Sequence, residues 1–348
     1  MTVASEPMSA SPTAETVAAA KLLLAQMGIS PADLVTAGPQ VPTFAEAIPA
    51  VRAGLSPGTL RTYNVHFNRL LDTWGHRRLD EPTKTELDEM AATIQAGARI
   101  NRASRGGASA VEHFVGTVRC LYRYAEDHGW IRPGDNPARE LTRPTRRPSH
   151  RYAIPSGRLA EICHVAAVTG DDGELDSLIL RLHIETACRR GGALALRPHD
   201  LDPDQCLVFL REKEGSNRWQ PVSPTLMQHL LEHARTRRSP QSGQLLRYRN
   251  GKPITARRYD YIWRRVGDEL PWAAAQGMSM HWLRHTTLTW VERTFSYAVA
   301  REYAGHRGKG GGTTTTYVKS HLQEVAAALS VLTGEPHPLA DASVSFTP

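Results

Sequence analysis

Leu201–Ser223, LDPDQCLVFLREKEGSNRWQPVS, stands apart from the rest of this 348-residue chain because its apolar residues alternate with polar ones. Period-2 runs (CLVFLRE and RWQPVS) on either side of a polar turn predict a small antiparallel β-sheet. Helical periodicity surrounds it. GRLAEICHVAAVTG, capped by Ser156, and GELDSLILRLHIETAC precede it. PTLMQHLLEHART, TARRYDYIWRRVGDEL, HWLRHTTLTWVERT, YAVAREYAGH and HLQEVAAALSVL follow it. Residues 156–333 therefore read as one domain, mainly helical with a small sheet.

Upstream, residues 43–141 carry helical signals throughout, and four or five helices are expected there. In TLRTYNVHFNRLLDTWG, Leu60, Tyr63, Phe67, Leu70 and Leu71 form one apolar stripe behind the cap Ser56-Pro57. FAEAIPAVRAG is expected to be interrupted by Pro49, and Thr83 or Thr85 to open the next helix. A loop, ASRGGAS, precedes a long helix ending at Gly129. Residues 142–155, TRPTRRPSHRYAIP, combine three prolines with several arginines and read as a basic linker. Residues 1–42 are expected to be a tail with a short helix at 16–28 and a linker, and residues 334–348 a disordered tail.

The net charge is +7, yet residues 1–40 and 334–348 are each −2, which leaves +11 on the body. A basic body with acidic tails favours a polyanionic partner, because Lys and Arg bound to phosphates release condensed counterions. No apolar run is long enough for a transmembrane helix and the N-terminus lacks a signal-peptide pattern, so no membrane association and a cytoplasmic, nucleoid-associated location are expected. The four cysteines are scattered without a C-x-x-C pair, which argues against disulfide and zinc frameworks.

Candidate chemistry lies in four places. In MHWLRHTTLTW, His281, Arg284 and His285 fall at i, i+3 and i+4, one basic face suited to an anion such as phosphate. A zinc reading lacks the carboxylate of H-E-x-x-H and a third ligand. In ETACRRGGALAL, Arg189 and Arg190 follow a helix, and a guanidinium suits bidentate phosphate contact. Lys213 sits at a hairpin tip, able to carry one ammonium into a groove. Ala304-Gly305-His306 leads through RGKGGGTTTT, without P-loop spacing, to Tyr317.

In this order the motifs resemble those of the tyrosine recombinases, the phage integrase family. TACRRGGALALRPHDLD is similar to T-G-x-R-x-x-E-L-x-x-L-x-x-x-D and aligns its arginine with Arg189. KEGSNRWQPV is similar to the K-G-x-x-x-R-x-x-P-L hairpin through Lys213, His281-x-x-Arg284-His285 to H-x-x-R-H, and AGH to L-G-H through His306. Two features depart from the pattern. Gly192 stands where the family has an acid, and eleven residues separate His306 from Tyr317, two more than usual.

The resemblance implies a helical core-binding domain at 43–141 and a catalytic domain at 156–333. It also implies a site-specific recombinase with Tyr317 as nucleophile, Arg189 and Arg284 clamping the phosphate, Lys213 as general acid, His281 assisting the phenol and His306 donating to the phosphate. His285 would stand behind them. The implied partners are double-stranded DNA with specific sites and a homotetramer on synapsed DNA, with strand exchange through a Holliday junction and no cofactor or metal. Arg143, Arg146, Arg147, Arg151 and Arg190 are candidate DNA contacts. A type IB topoisomerase would use the same chemistry on one duplex, and a decayed DNA-binding protein would retain the fold without the reaction.

Overall fold

A computed structural model describes residues 13–28, 41–98, 106–145, 151–212, 217–305 and 322–340. The chain divides into two compact units, residues 1–147 and 148–348.

The first unit is helical among the described residues. Helix α1 (Ala14–Gln26) has no buried residue. Four helices form the core: α2 (Phe44–Ala53), α3 (Pro57–Trp74), α4 (Lys84–Ala96) and α5 (Ala108–Asp127). Thr43 and Thr83 each begin a helix with a capping box, exchanging bonds with Glu46 and Glu86, so orphan N–H groups are satisfied locally. Pro49 does not interrupt α2, contrary to expectation. Its ring removes one backbone bond, while Phe44, Ala47, Ile48 and Val51 keep the helix seated by burying one face. Of the stripe on α3, Phe67 and Leu70 are buried with Trp74, while Leu60, Tyr63 and Leu71 lie at its margin. Helix α5 packs against α2, α3 and α4, and the Tyr122 hydroxyl donates to the Leu79 carbonyl at 2.9 Å.

The second unit holds α6 (Ser156–Val168), α7 (Gly173–Thr186), the short α8 (Arg190–Ala195), β1 (Leu201–Asp202), β2 (Leu207–Arg211) and β3 (Asn217–Pro221). After the sheet come α9 (Pro224–Thr236), α10 (Ala256–Glu269), α11 (Pro271–Gln276), α12 (Met280–Thr294), α13 (Tyr297–Tyr303) and α14 (Leu322–Thr333). The antiparallel sheet has the order β1-β2-β3, with Phe209 opposite Trp219 and Arg211 opposite Asn217. The stretch quoted first thus forms the expected hairpin, and the fold is mainly helical with a small antiparallel sheet.

Helix α7 is the spine of this unit and packs against α6, α9 and α12. Its Asp176, fully buried, accepts from Arg258 Nε at 2.6 Å and from Arg265, both on α10. A second cluster, Ala187, Val291, Val299, Ala300, Tyr303, Val325 and Ala328, joins α12, α13 and α14.

Both ends of this unit are tied down more than the sequence suggests. In the expected linker, Ile154 is buried and its N–H donates to Thr286 Oγ1 on α12 at 2.9 Å, while Tyr152 stacks edge-on against Trp282. Beyond α14, where a disordered tail was expected, Glu335 accepts from the Thr225 N–H at 3.0 Å and from Arg181 at 2.8 Å. His337 is buried against the Cys206 carbonyl. Those two anchors order the start of the tail; composition alone cannot reveal a single buried imidazole.

Candidate active site

Helix α7 ends at Thr186, and Ala187 adopts a left-handed conformation with φ of 48°. This turn redirects the chain so that Arg189 becomes the N-cap residue of α8. A buried imidazole supports the turn from below: His183 bonds the Cys188 carbonyl at 3.0 Å and the Tyr259 hydroxyl at 3.2 Å. Burial pushes the pKa of His183 down to about 4, so it stays neutral and can bridge the two. The double glycine, Gly191-Gly192, lies inside α8 and is not part of a loop.

Arg284 comes to the same place from α12, 95 residues further along the chain. It is 4% exposed, and its guanidinium donates to the Ala187 carbonyl and, at 2.7 Å, to the Ala304 carbonyl. One side chain thereby ties the end of α7 to the end of α13. Burial is the main cause that lowers its pKa to about 10, and repulsion from Arg189 and Arg218 adds to it, with Glu212 opposing. At neutral pH it remains a cation, held in a site already rich in positive charge.

Glu212 balances that charge. Its side chain is fully buried at the end of β2, where it accepts from the Arg189 backbone N–H at 2.5 Å and the Arg189 guanidinium at 2.7 Å. Arg218, buried on β3, donates to the same carboxylate at 2.9 Å and also bonds Gln220 and the Thr186 carbonyl. Burial works to raise the Glu212 pKa, but Arg218, the Arg189 N–H and Arg284 outweigh it and hold the group below the usual carboxylate range. Neither Glu212 nor Arg218 was singled out from sequence. The available signal was the strand period, which turns Arg218 and Gln220 inward beside an outward Trp219.

His281 is exposed at the start of α12. Partial desolvation, followed by repulsion from Arg151, Arg284, His285 and Arg189, keeps its pKa below the ordinary imidazole value. His285 is held similarly low by desolvation and Arg151, and its Nδ1 lies 3.3 Å from Thr289 Oγ1. Arg151, Arg189, His281, Arg284 and His285 therefore share one electrostatic neighbourhood drawn from three parts of the chain. Arg190 turns elsewhere, 4.0 Å from Asp260, and Arg143 is exposed in the first unit. Lys213, His306, Tyr317, Arg146 and Arg147 lie outside the described residues.

Two features stand at the end of α13. Gly305, with φ of 65°, stands so close to Arg218 that a Cβ there would fall 2.5 Å from the guanidinium, so glycine is needed both for the backbone and for the space. Tyr303 is fully buried with its hydroxyl on the Glu185 carbonyl, a core position that burial gives a raised pKa. A cleft of this unit, about 830 Å³, is lined by Glu174, Arg181, His229 and His233 and by none of the residues above. Arg189, His281, Arg284 and His285, the residues singled out for phosphate chemistry, do not line it.

Residues 158–324 match the phage integrase family. That domain belongs to the family. No curated protein sequence matches it. Among solved structures, it resembles a lambda integrase tetramer bound to a Holliday junction, with 15% identity, a TM-score of 0.60, and coverage of 86% of this chain and 88% of that one. The Tn1549 transposon integrase in complex with transposon right end DNA is also similar, at 14% identity, TM-score 0.60, and 80% and 95% coverage. At these identities the likeness establishes the integrase fold. Among the described residues, no helix of this integrase-family chain is long and apolar enough to cross a membrane.

Proposed function

We propose that this integrase-family chain is a site-specific recombinase that breaks and rejoins DNA through a 3′-phosphotyrosine. The observation that carries the reading is that Arg189 and Arg284, 95 residues apart in sequence, come close enough to repel each other beside the buried Glu212. Such a pair suits the two nonbridging oxygens of a phosphodiester, where the transition state gathers charge, and a preorganised pair costs no rearrangement when the charge develops.

Tyr317 supplies the nucleophile. Its phenol attacks phosphorus, the bond to the 5′-oxygen breaks, and the leaving alkoxide takes a proton from Lys213. An ordinary phenol has a pKa of about 10, so the attack needs a base. His281 is suited to it, since desolvation and then repulsion by neighbouring cations lower its pKa and favour the neutral ring that can accept a proton. His306 donates a hydrogen bond to the phosphate, and His285 supports the face from behind. The phosphotyrosyl bond conserves the energy of the broken one, so rejoining by another strand's 5′-hydroxyl needs no ATP and no metal.

The helical unit at 43–141 would grip the duplex, with Arg143, Arg146, Arg147 and Arg151 along the phosphates. Exchange between two duplexes calls for a homotetramer and a Holliday junction, acting on specific sites in nucleoid DNA in the cytoplasm. The solved relatives, one a tetramer on a Holliday junction and one bound to transposon end DNA, support the same reading.

Incubation with a pool of nicked suicide duplexes of randomised core sequence tests it. A covalent protein–DNA adduct is expected, absent from Tyr317→Phe. An adduct that survives Tyr317→Phe removes Tyr317 as nucleophile. Relaxation of a supercoiled plasmid lacking the captured site, without recombination of two captured sites, would favour a topoisomerase instead.

A further inference from the structure

The family's first arginine is followed three residues later by an acid, and this chain has Gly192 there. Arg189 is the N-cap residue of α8, which makes Gly192 its N3 position. An acid at N3 can reach back to the N-cap backbone N–H, the reciprocal half of a capping box. In this structure that N–H is taken, at 2.5 Å, by Glu212 Oε1. A Cβ built on Gly192 would lie 3.0 Å from Glu212 Cγ and 3.2 Å from Oε1. The Glu212 side chain thus fills the space into which a residue-192 side chain would grow, and its carboxylate makes the bond such a side chain would make.

We infer that Glu212 is a positioning residue that performs, from the end of β2, the role left vacant by glycine at 192. Its second oxygen binds the Arg189 and Arg218 guanidiniums at 2.7 and 2.9 Å, so one carboxylate fixes both the backbone and the side chain of Arg189. Glu212 also directly precedes Lys213. The carboxylate that aims the clamping arginine is therefore the chain neighbour of the proposed proton donor. The two positions form an exchangeable pair: an acid fits at 192 or at 212, but not at both. This inference rests on the recombinase reading above, since the group being positioned is its phosphate clamp.

The test is a reciprocal exchange, read on the duplex captured by the wild-type protein. Glu212→Ala should slow adduct formation at saturating duplex by about 10- to 100-fold, the loss found when a partner that orients a metal ligand is removed. Gly192→Glu alone should also be slow, because its Cβ meets Glu212 Cγ and a second carboxylate enters the same space. The double variant Gly192→Glu/Glu212→Ala should recover at least about tenfold, a difference of one 1.36 kcal/mol step in barrier. A folded double variant no faster than Glu212→Ala overturns the inference, as does wild-type speed in Glu212→Ala.

If Glu212→Ala does not fold, the thermal midpoint of the double variant decides. Restored folding supports the exchange, and continued unfolding refutes it. If the wild-type protein forms no adduct, the recombinase reading fails, while the melting comparison still judges whether the two positions share one acid.

Discussion

Arg284 is both a structural tie and half of the proposed phosphate clamp, and Arg284→Lys separates the two roles. The guanidinium donates to the Ala187 and Ala304 carbonyls from a nearly fully buried position. Hydrogen bonds from charged donors contribute about 1.5–3 kcal/mol each. A lysine ammonium lacks the planar fork that meets both carbonyls at once, so stability should fall by about 2–3 kcal/mol. Domains of this kind are stable by about 5–15 kcal/mol, so even at the lower end more than about nine-tenths of the variant stays folded. Unfolding therefore cannot lower the rate by more than a small fraction.

The rate of adduct formation should nonetheless fall by about 10²–10³-fold, the loss typical when one preorganised donor to a developing oxyanion is removed. Urea unfolding gives the first quantity and single-turnover cleavage of the captured duplex the second. A variant as stable as the wild type would refute the structural tie. A folded variant that cleaves at the wild-type rate would remove Arg284 from the clamp.

Two further outcomes follow from the same chemistry. Lys213→Ala should slow cleavage of an ordinary duplex by about 10²–10⁴-fold, but have little effect on a duplex whose leaving 5′-oxygen is replaced by sulfur. A thiol, with a pKa of about 8.5, leaves without being protonated; equal losses on both substrates would exclude Lys213 as the general acid. His183 is neutral in the fold, with a pKa of about 4 against about 6.5 when unfolded, so its contribution is present above pH 6.5 and is lost as pH falls toward 4. Between pH 7 and pH 5 it should cost about 2 kcal/mol. His183→Gln, less stable at pH 7, should remove that part of the pH dependence, and an unchanged slope in urea unfolding would refute the assignment.

The sequence by itself determined the secondary structure and the order of the motifs, because both are local. Helix periodicity, the Thr43 and Thr83 caps and the alternation in Leu201–Ser223 each depend on neighbours a few residues away. It also determined which residue types could serve phosphate chemistry, with Arg189, His281, Arg284 and His285 set in recognisable surroundings. Local rules failed where a distant contact overrode them: Pro49 stays helical because its helix buries a face, and Glu335 and His337 are held by α9 and the turn between β1 and β2.

Only the tertiary structure decided which charges meet. The Ala187 turn, buried under Tyr303 and α12, aims Arg189 and gives Arg284 a carbonyl to hold. The sequence shows an acid missing at Gly192 but cannot say that Glu212, twenty residues away just past a strand, occupies the vacated space. A buried carboxylate must be paired wherever the fold brings cations to it, and that pairing is a property of packing, which no local pattern records.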